Sequence, residues 1–219
     1  MTKEQLFHLL DEMTLPDSII SVLDAPKLRF GRRGEYIKEN EVFPLLREYI
    51  ELRTKKSDTE RRENAYAVFA KYLRSTFEPE YCQFLVERLK VETNKYVLQT
   101  ILTGIRRLQL PSNIDISAII ACSKHEMWLV RHNAIMALEV SNTDISRDAV
   151  RYWVRQEDEK QYKFELIYAN GVLGCIGEIS DIVLLEQHTN SRIRDVKASA
   201  IYAINSIRQR FGMEPVDEG

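Results

Sequence analysis

Glycine and proline are scarce in this chain, 8 and 6 among 219 residues, which argues against a turn-rich β-sandwich and against a disordered polymer. Cysteine is scarcer still. Cys82, Cys122 and Cys175 are odd in number and widely spaced, so a disulfide framework has no pairing to rest on. They read as three small buried hydrophobes in a reduced cytoplasm. An excess of either charge is missing too: 31 Lys and Arg face 33 Asp and Glu, a formal net charge of −2. A near-neutral chain has no global electrostatic drive toward nucleic acid or anionic lipid. No apolar run approaches the roughly 18 residues that a membrane helix needs. The opening MTKEQLFHLLDEMTLPDS places acids inside its short apolar stretch, unlike a secretory leader, so the expected location is cytoplasmic. What is abundant is apolar residues at 44% and charged residues at 29%, enough for one compact core or one elongated array.

The apolar residues recur at spacings of three and four, the helical period, almost throughout. Thr2 followed by Gln5 forms a capping-box pattern that predicts a helix over about Lys3–Met13, with Leu6, Leu9, Leu10 and Met13 as its stripe. A short helix over Asp17–Leu23 is expected next, then a loop at Ala25–Glu35 that carries two glycines and a proline. A helix over Val42–Leu52 follows, with Pro44 in its first turn. From Ser57 onward longer helices are predicted at about 58–74, 94–108, 127–140, 161–176 and 192–211. Shorter ones fall at about 79–90, 114–123, 144–156 and 179–187. Ser57, Thr93, Asn113, Thr143 and Ser191 are the expected caps. The links are short, so sequential helices must pack antiparallel.

The longer helices align with one another. Val130-Arg131-His132-Asn133-Ala134-Ile135-Met136-Ala137-Leu138 matches Val196-Lys197-Ala198-Ser199-Ala200-Ile201-Tyr202-Ala203-Ile204 at an offset of 66, twice the 33 that separates Val97 from Val130. Equivalent positions at 65, 101, 134, 169 and 200 step by 36, 33, 35 and 31. Self-similarity at this period is the signature of stacked helical hairpins. Small residues three apart, Ala134 with Ala137 and Ala200 with Ala203, share one helix face and let a partner helix approach closely. Gly104 takes the Ala137 position in its own copy. Leu138, Leu173 and Ile204 are expected to fill the space between copies, since a lone hairpin cannot cover its apolar face.

Trp128–Leu138 and Asp195–Ile204 resemble the first helix of a HEAT repeat. Val172-Leu173-Gly174-Cys175-Ile176-Gly177-Glu178, followed by Ile182–Leu185, is similar to the junction between first and second helices in the short HEAT-like repeats also seen in phycobilisome lyases. The resemblance covers about residues 58–208. It implies an all-α, armadillo-like fold: a right-handed α-α superhelix, a HEAT-like solenoid of about five helical hairpins with N-terminal cap helices. The domains so implied are cap helices and a basic loop at 1–56, the repeat array at 57–211 and a flexible tail at 212–219. The resemblance also implies that second helices line the concave surface.

Candidate chemistry is sparse. His8, His125, His132 and His188 lack a second ligand at metal spacing, and no phosphate-loop, dinucleotide or nucleophile-elbow pattern is present. His132 reads as a partly exposed polar position. Gly174-Cys175-Ile176-Gly177 reads as a helix end with glycine at its close. Asp11-Glu12, Glu39/Glu41 and Glu157-Asp158-Glu159 present no facing acid–base pair, and the trio reads as a solvated loop. No cofactor, metal or catalytic residue is expected. Two basic features stand out. Lys27, Arg29, Arg32, Arg33 and Lys38 surround Phe30 in a glycine-hinged loop that is either a solvated connector or a grip for phosphate or an acidic surface. Arg147, Arg151 and Arg155 form an i, i+4, i+8 row that is either a solvated face, offset by Asp144 and Asp148, or part of a binding face. Tyr66, Tyr96, Trp128, Tyr152 and Trp153 either pack between copies or stack against a ligand.

The expected function is a non-enzymatic scaffold that binds a protein or peptide partner along its concave face. Arg147, Arg151 and Arg155 would contact the partner, and Arg29, Arg32 and Arg33 would clamp it. The alternative is nucleic-acid binding, in the manner of the alkylpurine DNA glycosylases built on HEAT-like helices, although the basic row is not repeated on the other second helices. A phycobilisome-type lyase is a third reading, with no chromophore site marked.

Overall fold

The structure is a computed structural model that describes residues 3–12, 39–75 and 77–216. The helix expected at Asp17–Leu23, the Ala25–Glu35 loop and the arginines Arg29, Arg32 and Arg33 lie outside the described residues, as does Thr2. Among the described residues the fold is all-helical. Eleven α-helices run in the order α1 Lys3–Glu12, α2 Glu39–Leu52, α3 Thr59–Ser75, α4 Pro79–Arg88, α5 Lys95–Ile105, α6 Ser117–Cys122, α7 Trp128–Ala137, α8 Asp144–Val154, α9 Lys163–Ile176, α10 Ile182–Glu186 and α11 Arg194–Arg210. Single 3-10 turns precede α3 and α10 and follow α7. No helix among these residues is long and apolar enough to cross a membrane.

The helix starts follow local chemistry. The Thr143 hydroxyl accepts from the Ser146 N–H, and the Ser146 hydroxyl accepts from the Thr143 N–H, a reciprocal cap for α8. Asn94, not Thr93, caps α5 by accepting from the Tyr96 and Val97 amides. Asp115, not Asn113, accepts from the Ser117 N–H at 2.9 Å to start α6. Pro79 opens α4, where a missing N–H costs nothing. Helix α2 begins three residues earlier than expected, so Pro44 lies in its second turn.

The chain divides into two compact units, Met1–Leu108 and Gln109–Gly219. In the first, α3 lies against α1, α2, α4 and α5. Phe43, Tyr49, Tyr66, Phe69 and Leu85 are fully buried there, with the Phe43 and Tyr81 rings stacked at 4.4 Å. In the second, α9 lies between α7 and α11, while α6, α8 and α10 each pack on a long neighbour. The register positions Ala65, Ile101, Ala134, Ala169 and Ala200 are all fully buried. Small residues do set the helix approach. A Cβ on Gly104 would stand 2.5 Å from the Ala70 Cβ, and one on Gly174 would stand 2.9 Å from the Ala203 Cα. Gly177 closes α9 with an extended backbone, φ −71° and ψ 168°, rather than the left-handed one usual for a closing glycine. Glycine is needed there for space, because a Cβ would meet the Leu173 carbonyl at 2.4 Å.

Polar ties between side chains about thirty residues apart reinforce the packing. Arg62 Nε donates to Glu92 across 30 residues, Arg131 Nε to Glu165 across 34, and Arg151 Nε to Asp181 across 30. His188 Nδ1 lies 3.1 Å from Glu159 Oε1, 29 residues away, so the acidic trio is not wholly solvated. Arg210 donates to the closing carbonyls of α9, including that of Gly174 at 2.8 Å. In the expected tail, the Val216 N–H donates to Asn205 Oδ1 at 2.7 Å, which turns residues 213–216 back onto α11. Cys82 and Cys122 are buried as expected, whereas Cys175 on the last turn of α9 is exposed.

Candidate functional site

The arginine row lies on one edge of α8, which starts at Asp144 because of the Thr143 cap. Arg147 pairs with Asp144 and approaches Glu178 at 3.5 Å. The Arg151 guanidinium grips Asp181 through two hydrogen bonds, Nε to Oδ1 at 2.6 Å and Nη2 to Oδ2 at 2.9 Å, and meets Asp148 at 2.8 Å. Burial pushes the Asp181 carboxyl up, but these Arg151 bonds and the Glu178 amide outweigh it and hold the group below the ordinary carboxylate value. Two of the three arginines therefore tie α8 to the turn before α10. Arg155, at the end of α8, is exposed and forms no ion pair with a described residue. Arg29, Arg32 and Arg33, the expected clamp, lie outside the described residues.

The outer face of α8 mixes apolar side chains with the exposed Asp148. Ile145 and Tyr152, seven residues apart, are 64% and 44% exposed, and Val183 on α10 is 68% exposed. The Lys124 ammonium sits 4.4 Å over the Tyr152 ring. Trp153 points the other way and is buried, with its ring 5.2 Å from that of Tyr152.

A second apolar ledge crosses α7 and α9. Trp128 opens α7 and Phe164 falls on the first turn of α9, each more than half exposed. Both rings flank His132, at 5.4 and 5.8 Å, and Tyr168 lies 5.0 Å from it. His132, expected to be partly exposed, is buried, and its Nε2 lies 3.1 Å from Glu165 Oε1. Helical spacing alone does not distinguish Tyr66, which is buried, from Tyr96, which is half exposed. Sequence reasoning also passed over Glu92 and Glu165, whose partners Arg62 and Arg131 lie 30 and 34 residues away, although Arg88 stands only one turn from Glu92. The i to i+33 alignment was the signal that relates such pairs.

No family model and no curated protein matches the chain. Its fold is similar to that of an engineered protein whose crystal structure was solved as a Northeast Structural Genomics Consortium target, with a TM-score of 0.50 at 15% identity over 95% of this chain and 98% of that one. That likeness concerns the helical fold alone.

Proposed function

We propose that the chain is a non-enzymatic HEAT-like repeat scaffold whose helical hairpins form successive turns of a solenoid and whose second helices bind a protein or peptide partner. The observation that carries this reading is the exposure of Ile145 and Tyr152 on α8 and of Val183 on α10, with Arg155 exposed at the end of α8. Large apolar side chains left exposed on helices that already bury their other faces are what an interface presents before it is covered. Pairing of Arg147 and Arg151 with carboxylates leaves little free positive charge for a phosphate backbone, which favours protein over nucleic acid. The two paired arginines would orient the face, while Tyr152 and Arg155 would meet the partner. The test is stoichiometric capture from native cell extract with Tyr152→Ser combined with Arg155→Glu, both at exposed positions. Loss of a partner that the unaltered chain retains is expected, and equal retention would dismiss this face. Arg147→Glu with Arg151→Glu is the wrong probe, since it breaks ties within the fold.

A further inference from the structure

Half-buried charges in this chain are mostly matched inside it. Arg53 meets Asp11 at 2.8 Å, Arg62 meets Glu92 at 3.0 Å and Arg151 meets Asp181 at 2.6 Å. A groove of about 610 Å³ between α3 and α5 departs from that pattern. The two helices run parallel: Thr100 donates to Glu63 at 3.0 Å toward one end, and Gly104 rests on Ala70 toward the other. Small side chains, Ala67, Ala70 and Gly104, let the two helices touch and form the shallow floor of the groove.

The ends carry opposite charges. Glu63 is half-buried, accepts from Thr100 and has no cation within ion-pair distance among the described residues. Burial, with Glu60 nearby, pushes its carboxyl above the ordinary value, the mark of a carboxylate short of positive neighbours. At the other end Lys71, Arg74 and Arg107 line the wall, and neither arginine pairs with a described acid. The ends of α3 and α5 contribute roughly half a negative charge each, which offsets only part of the charge of the two arginines. Glu63 and Arg74 are eleven residues apart on α3, or about 16 Å at ~1.5 Å per residue. An extended peptide covers that length in about five residues.

We propose that the α3–α5 groove is a binding site for an extended peptide segment that carries acidic side chains at one end and a lysine or arginine about five residues away. A free phosphate would use the cationic end only and leave Glu63 unmatched. A nucleic acid would bring more negative charge to Glu63 and no cation. The site rests on the scaffold reading only for its ligand class. It lies in a different unit from the α8–α10 face, so either can fail alone.

The probes are the capped hexapeptide Lys-Gly-Ala-Gly-Glu-Glu, its reversed sequence, and a version of each with lysine replaced by glutamine. They are titrated into the full-length protein while the amide resonances of Thr100, Thr103 and Gly104 are followed by NMR. Saturable shifts at these amides are expected with the lysine-containing peptide in one of its two directions. Arg74→Glu with Arg107→Glu should weaken that binding about tenfold or more while the chain keeps its helical circular dichroism and a cooperative melt, since both side chains are exposed. Glu63→Gln should remove the advantage of the lysine. The proposal is overturned if neither direction shifts these amides at millimolar peptide. It is equally overturned if the lysine-free peptides bind as well, or if sodium phosphate at equal concentration displaces the peptide, since either result reduces the groove to a plain anion site.

Discussion

Glu92 gathers three side chains in a largely buried cluster. Arg62 grips it at 3.0 Å, the Tyr66 hydroxyl donates to it at 2.9 Å, and Arg88 bonds that same hydroxyl at 2.8 Å. Such a cluster contributes little net stability while intact, but removing one charge strands the other in a low-dielectric interior. Glu92→Ala should therefore cost about 3–5 kcal/mol in urea denaturation, far more than the loss of an exposed glutamate. The Arg131–Glu165–His132 group makes stability depend on pH. Burial raises the Glu165 carboxyl, but a backbone amide, Arg131 and His132 together bring it below its ordinary value. The stability it contributes is complete above the unfolded value and is lost as the pH falls through the folded one. For His132, burial lowers the imidazole from 6.5 and outweighs the attraction of Glu165. The folded chain thus binds that proton less readily than the unfolded chain, and this contribution too fades as the pH drops below about 6.5. Both effects act in the same direction. Thermal melts should show a midpoint that falls on acidification, and His132→Gln should flatten the upper part of that decline while leaving the lower part in place.

At the scale of the helix, glycine separates packing from propensity. Gly171 lies inside α9 with nothing within 4 Å of where a Cβ would stand, so Gly171→Ala should raise stability by about 0.5–1 kcal/mol. Gly104→Ala gains the same propensity but drives one Cβ into another, and it should lower stability by about 1–3 kcal/mol. Parallel melts of the two variants compare the effects directly. Equal shifts would show that the Gly104–Ala70 contact does not limit the approach of α5 to α3. These contacts were legible beforehand because alanine or glycine recurring at one register of a helical period has few other uses. The long helices were legible for the same reason, with the ends of α5 and α7 three residues short of expectation, α7 because its last turn tightens to a 3-10 turn at Leu138–Val140. Exposure was not legible. Period shows that Ile145, Asp148 and Tyr152 share a face, and is silent on whether another element covers it. Nor was the fate of the arginine row. Asp148 lies one turn away and was visible as an offset, but Asp181, which takes the stronger grip on Arg151, lies 30 residues on.

Among the described residues, three of the buried ion pairs join side chains 30 to 34 positions apart, so they tie helices that are near one another in sequence. The α3–α5 groove escaped sequence reading because Glu63 and Arg74 lie three turns apart on α3 and Arg107 joins them only through the packing of α5 on α3, so together they form no local motif. The sulfur atoms offer a practical consequence. Burial pushes the thiols of Cys82 and Cys122 up to about 11, which leaves them protonated and shielded at neutral pH. Cys175 stands exposed at the end of α9. A maleimide dye should therefore attach once per native chain, as intact-mass spectrometry would verify, and three times after denaturation. That selectivity places a fluorophore beside the carbonyls held by Arg210, where its emission would report fraying of the final helix without any engineered cysteine.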